Sequence, residues 1–266
     1  MKSFILALLM CGVCYADLDT MDGGSITTST SFDGSTVNIA SADGASITSG
    51  EASDCDSRGT AVFLWTGDNA SGTDYACVSG GTQQASSSDS PTIDTSVSES
   101  TSTLHDGSYT MLADADGNHR MTFTVTSEDI ADLSLGTIEV YVYPVEASVS
   151  TNSEIAYIYG DSNDYVLILV MGTGQPRIYH NGNGTLHSAT CTNSVTTQAW
   201  NVIKASWDVT GDSLSIKLNS DATNSDADDL GAVGTNAASL GIGQSIGVIN
   251  HDFRLDDVRT WKTDEL

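Results

Sequence analysis

Positive charge is what this chain has least of. Nine Lys and Arg face 35 Asp and Glu across 266 residues, for a formal net charge of −26. A field of that sign repels phosphate backbones and anionic lipid, which argues against nucleic acid and membrane surfaces as partners. Proline is scarce, at three residues, and no stretch repeats its apolar residues at the spacing of an amphipathic helix. No apolar run reaches the ~20 residues that a membrane-spanning helix needs, so membrane insertion is not expected. There are five cysteines, none at a spacing that suits zinc or beside a histidine that would activate a thiol nucleophile. What abounds is Gly, Ser, Thr and Asp between short β-branched and aromatic runs. That is an all-β composition.

The N-terminus sets the compartment. Lys2 precedes the apolar run Phe4–Val13, and Cys14-Tyr15-Ala16 stands before Asp17. A positive start, a short apolar stretch and a small final residue predict a signal peptide over residues 1–16 and a secreted, extracellular mature protein. Loss of Lys2 with that peptide removes one positive charge and takes the mature chain to −27. Cys55, Cys77 and Cys191 remain, an odd count that permits one internal bridge. Cys55–Cys77 is the expected pair, because it would tie the N-terminal segment to the first strand beyond it. A loop of that length is worth about 3 kcal/mol.

Residues 17–58 carry an internal repeat. Asp-Gly turns at Asp22, Asp33 and Asp43 each lead into a short run such as Ser-Ile-Thr. These predict short strands with tight turns, an arm whose apolar content is too thin for a core of its own. Residues 59–266 form the second predicted domain. Its clearest passage is Trp200–Leu218, where Ile203, Ala205 and Trp207 alternate with Lys204 and Ser206, and Leu214, Ile216 and Leu218 with Ser213, Ser215 and Lys217. The turn Val209-Thr210-Gly211-Asp212 joins them, so this is a β-hairpin covering a core with one face. Further strands are predicted at Thr137–Tyr143, Glu154–Tyr159, Asp164–Met171, Gln175–His180, Ser239–Val248 and Phe253–Trp261. The polar stretch from Thr82 to Asp106 reads as a long loop or a pair of weak edge strands.

The hairpin "WNVIKASWDVTGDSLSIKLN", the later "LGIG" and the closing "FRLDDVRTW" resemble the laminin-G-like, concanavalin A-like lectin/glucanase superfamily. "GTIEVYVYP" at Gly136–Pro144 is similar to another strand of that family, and "AVFLWTGDNASGTDYA" at Ala61–Ala76 is a fainter match. The resemblance implies a two-sheet antiparallel jelly-roll sandwich, with the β-repeat arm before it. It says less about function, because this sandwich hosts lectins, adhesins, hydrolases and structural modules.

Hydrolysis by the retaining route needs two carboxylates ~5 Å apart, as a Glu-x-Asp-x-x-Glu strand would present them. No such string occurs. Glu128, Asp129 and Asp132 have the wrong spacing, Glu139 and Glu146 lie too far apart, and Asp256-Asp257 belong to the closing motif. No catalytic residue is therefore expected, and no Ser-His-Asp set stands out. For a metal, Asp161, Asn163 and Asp164 put two carboxylates and an amide into one strand-to-strand turn, where Ca²⁺ is the cofactor to consider. Asp114, Asp116 and Asn118 read instead as a turn. For a sugar, "PRIYHNGNGT" offers an aromatic ring in Tyr179 and planar amides in Asn181 and Asn183, with Arg177 and His180 beside them.

The expected protein is an exported, non-catalytic glycan- or cell-surface-binding protein with a polysaccharide partner. The alternative is a structural or adhesive module of an extracellular or viral assembly without a glycan site, and the third reading is a divergent glycoside hydrolase.

Overall fold

The computed structural model describes residues 59–66, 75–78, 81–84, 86–88, 92–94, 105, 110–113, 120–127, 129–226, 230–243 and 252–266. The signal peptide, the Asp-Gly arm, Cys55, and the turn with Asp114, Asp116 and Asn118 lie outside the described residues. Every regular element described is a strand: β1 (Phe63–Trp65), β2 (Tyr75–Val78), β3 (Gly81–Gln84), β4 (Ser86–Ser88), β5 (Thr92–Asp94), β6 (Thr110–Ala113), β7 (Arg120–Thr124), β8 (Leu135–Pro144) and β9 (Ser153–Asp161). They continue with β10 (Asp164–Val170), β11 (Pro176–Gly182), β12 (Thr185–Thr190), β13 (Asn201–Asp208), β14 (Ser213–Leu218), β15 (Asn224–Asp226), β16 (Ser239–Gly243) and β17 (Phe253–Trp261).

Two antiparallel sheets result, as the jelly-roll expectation required. One runs β15-β14-β13-β8-β17-β1-β2-β3, with β6 also paired to β17 and β5 to β6; the other runs β12-β11-β10-β9-β16-β7-β4. The alternating faces seen in the sequence build the space between them. Ile138, Val140 and Val142 of β8, with Ile203, Ala205 and Trp207 of β13, are buried with Ile158 of β9, Val166 and Ile168 of β10 and Leu240 of β16 in a single core. Phe63 and Phe123 meet edge to face across it, their centroids 5.0 Å apart. Trp207 fills a slot that only glycine leaves open: a Cβ on Gly136 would lie 2.6 Å from its ring. Its indole N–H donates to the Asp132 carbonyl at 3.0 Å, which meets the need of a buried ring for a polar partner.

The first and last described strands are neighbours, with Phe63–Trp65 paired to Val258–Thr260. A bulge in β17 between Asp256 and Arg259 separates the half that meets β6 from the half that meets β1. Asp257 sits in it with φ 44, a left-handed conformation that an Asp tolerates better than most residues. Its carboxylate receives Arg259 Nη2 at 3.4 Å, so this closing acid acts in structure.

The polar stretch beyond Thr82 holds edge strands, β3 and β4 at sheet margins and β5 beside β6. Strand β12 was not expected. Its hairpin turns at Asn183 and Gly184, both with positive φ (50 and 83), the Asn-Gly chemistry of a tight primed turn. Trp200, which as an aromatic beside the β13 strand would be expected in the core, is not there. It is half-buried on an outer face, with its ring 5.5 Å from Tyr143 and 5.6 Å from His105, because its position at the head of β13 is out of phase with Ile203 and Trp207. Cys77 is disulfide-bonded, and Cys191 is a buried free thiol. Burial pushes the Cys191 thiol up to about 12, with Asp221 adding to the effect.

Candidate functional site

The outer face of the seven-stranded sheet gathers the aromatic side chains that the strand period turns away from the core. Cross-strand register sets them in rows. Thr122, Gly241, Tyr157, Leu167, Tyr179 and Ser188 form one row from β7 to β12. The adjacent row holds Ser239, Tyr159, Tyr165 and Asn181. On the other side, Leu169, Arg177 and Thr190 are aligned. A groove of about 510 Å³ opens over this face, lined by Arg120, Thr122, Glu154, Tyr157, Tyr159, Tyr165, Leu167 and Ser239.

Each ring is held differently. Tyr157 lies across β16: a Cβ on Gly241 would fall 1.9 Å from its ring. Its hydroxyl is 3.3 Å from Thr122 Oγ1, and the Arg120 guanidinium carbon stands 5.8 Å from the ring centroid. A ring lying over a strand glycine covers backbone that would otherwise be bare. Tyr159 is 41% exposed, and Tyr165 stands opposite it on β10. Tyr179, the ring singled out from sequence, is half-buried at the far side of this face. Arg177 Nη1 donates to its hydroxyl at 2.8 Å, and the guanidinium carbon is 5.5 Å from its centroid.

The remaining sequence candidates lie toward the rim. Asn181 is on the same face as Tyr165 but only 9% exposed. Asn183 is exposed at the β11–β12 turn, and its backbone N–H donates to Asp164 Oδ1 at 2.7 Å. Tyr179 and Asn181 thus share the outer face, whereas Asn183 belongs to the rim. Asp161, Asn163 and Asp164 all lie at the β9–β10 turn, as expected. Asp161 Oδ1 accepts from the N–H groups of Asn163 (2.7 Å) and Asp164 (3.1 Å). Asp164 is 2% exposed and also receives Gly234 N–H and the Thr235 hydroxyl, each at 3.1 Å. Burial alone would raise its pKa, but these donors outweigh that and hold the carboxyl below its usual range. Its oxygens tie two hairpin ends to the 230–235 loop. Among the described residues no group of three His, Cys, Asp or Glu is placed to hold a metal ion.

This geometry is joined by a family match. Residues 116–264 match a laminin-G model of the Concanavalin A-like lectin/glucanases superfamily. The chain belongs to that superfamily. No curated protein matches the sequence. Among solved structures, the receptor binding domain of botulinum neurotoxin D superposes with a TM-score of 0.58 at 9% identity, covering 78% of this chain and 50% of that one. The serotype D ligand binding domain in complex with N-acetylneuraminic acid gives 0.56 at 8%, covering 78% and 48%. The binding domain of botulinum neurotoxin DC in complex with SialylT gives 0.57 at 9%, covering 78% and 49%. The chain spans about half the length of these domains, and at such identities the likeness is one of fold.

For a superfamily that includes glucanases, the carboxylates matter. Glu154 is the one acid among the described residues lining the groove. The tyrosine face was missed from sequence, although "IAYIYGDSNDYVLIL" carried a signal: Tyr157 and Tyr159 flank the buried Ile158, and Tyr165 alternates with the buried Val166 and Ile168. Register across β9 and β10 was needed to see that they converge.

Proposed function

We propose that this chain is an exported, non-catalytic glycan- or cell-surface-binding protein whose ligand lies across the tyrosine face of the seven-stranded sheet. The observation that carries this reading is the convergence of Tyr157, Tyr159 and Tyr165 on one shallow groove. Sugar C–H faces stack on aromatic rings, and rings fixed by a sheet lose little entropy when they do so. Thr122, Ser239 and Glu154 supply hydroxyl and carboxylate partners around the rings. The complexes of the neurotoxin domains with N-acetylneuraminic acid and SialylT support the sugar reading by analogy of fold. A single lining acid supports binding over hydrolysis, since the retaining route uses two. Tyr179 and Asn181 extend the face, and Asp164, whose oxygens already accept from Asn183, Gly234 and Thr235, braces its rim without a metal.

Tyr159→Ala is the direct test. It should weaken glycan binding about tenfold, the worth of one stacking ring, while the melting temperature stays within a few degrees because the ring is partly exposed. Unchanged binding to every glycan the parent chain recognises would refute the site. No binding by the parent chain across a broad glycan panel would favour a structural or adhesive module instead. Export rests on Lys2, the apolar run and Ala16. N-terminal sequencing of secreted protein should return a chain beginning at Asp17, and one beginning at Met1 would overturn it.

A further inference from the structure

Arg177 is out of place in so acidic a chain. Its row on the outer face runs Thr190, Arg177, Leu169 and then Glu154, so an uncharged residue stands on either side of it and the nearest acid of the row lies two strands away. Its Nε donates to Thr190 Oγ1 at 2.7 Å and its Nη1 to the Tyr179 hydroxyl at 2.8 Å. Both acceptors are neutral, and no carboxylate among the described residues pairs with it. Arg259 on the other sheet shows the contrast, with Glu139 at 3.2 Å and Asp257 at 3.4 Å. Where acids so outnumber bases, a half-buried guanidinium with no directly paired carboxylate is a charge open to an outside acid, on a face that offers a groove.

The donor count makes this a site rather than a stray charge. A guanidinium has five N–H groups in a planar fork. Two are used to anchor Arg177, which fixes the plane against Tyr179 and leaves three. One on Nη1 and one on Nη2 form the parallel pair that meets a carboxylate or a sulfate bidentately. The anchoring bonds freeze a long side chain before any ligand arrives, so that ordering entropy is not lost on binding. Among the described residues a second arginine of this sheet, Arg120 on β7, stands over the Tyr157 ring of β9. Four strand steps separate β7 from β11, or roughly 19 Å at 4.8 Å a step. One sugar acid cannot touch both arginines, whereas an extended chain can. The net charge does not forbid this, because salt screens the long-range field within about 8 Å and leaves a direct contact intact.

We infer that the ligand of the tyrosine face is an anionic glycan, with Arg177 receiving a carboxylate or sulfate ester of a sugar whose rings run along the tyrosines. This rests on the glycan-binding reading and adds the charge class of the ligand. The test measures binding of the mature protein to immobilised polygalacturonate, to a sulfated galactan and to a neutral galactan. Binding to at least one anionic polymer should exceed the neutral one about tenfold and weaken as salt is raised. The polymer preferred reports whether carboxylate or sulfate is read. Arg177→Gln should cut the anionic binding to the neutral level, and Arg177→Lys, which keeps charge but loses the fork, should restore part of it. Equal binding to neutral and anionic polymers would overturn the inference while leaving the glycan reading standing. No binding to any of the three, by a protein that melts cooperatively, would remove both. If Arg177→Gln unfolds, Arg177→Lys with a salt titration decides alone: undiminished, salt-independent affinity for the anionic polymer refutes the role.

Discussion

At the scale of single residues, the side chains that matter most are those whose neighbours decide their charge. His180 is completely buried in β11, with Nε2 3.0 Å from the Leu133 carbonyl. Burial lowers its pKa, and His187 across the strand pair adds to this, while the Leu133 carbonyl and Asp164 act the other way. The sign follows from linkage. The unfolded chain binds this proton more readily than the folded one, so the stability from a neutral His180 is fully present above the unfolded pKa of about 6.5. It is lost progressively as pH falls below that value. The melting temperature should therefore drop between pH 8 and pH 5, and His180→Gln should flatten that part of the profile. A profile unchanged by the substitution would show that other groups govern acid lability. None of this was legible from the sequence, where His180 was one polar residue among several in "PRIYHNGNGT". Its phase in β11, shared with Ile178, is what sends it inward.

At the scale of elements, strand period accounts for both the successes and the misses of sequence reading. The hairpin Trp200–Leu218 was legible because its apolar and polar residues alternate without interruption, and its register of Ile203 with Leu218 through Trp207 with Leu214 follows. Strand β12 was not, because "TLHSAT" has a mostly polar outer face and only Ala189 fully buried; its pairing with β11 supplies the strand. Glycines in β16 pose the same problem. "SLGIG" reads as a weak strand, yet Gly241 is there because the Tyr157 ring occupies the space of its side chain. Gly241→Ala should drive that ring out of its seat, break its contact with Thr122 and cost about 1–3 kcal/mol, the usual penalty of overpacking. It should also weaken ligand binding more than an equally destabilising core substitution. A stable Gly241→Ala variant with parental affinity would mean that Tyr157 contributes nothing to the face.

At the scale of the whole molecule, the chain separates what composition can decide from what only pairing can. Scarce proline, absent helical periodicity and short β-branched runs sufficed for an all-β fold, because alternation is a local property that each strand carries alone, and the resemblance to the concanavalin A-like family implied the two-sheet sandwich. The excess of acids, likewise, was enough to argue against nucleic acid and anionic membrane surfaces. Tertiary structure was needed to show that Arg177 stands apart from that excess, with a neutral anchor on each side. Tyr179 and Asn181 were read from one strand and lie on the outer face of the seven-stranded sheet, but half-buried and buried, with β10 and β12 on either side of β11. Tyr157, Tyr159 and Tyr165 belong to one hairpin, but Arg120, Thr122 and Ser239 reach the groove from β7 and β16, so no single window of sequence contains it. A binding face built across strands depends on register, and register is set by pairing partners distant in the chain.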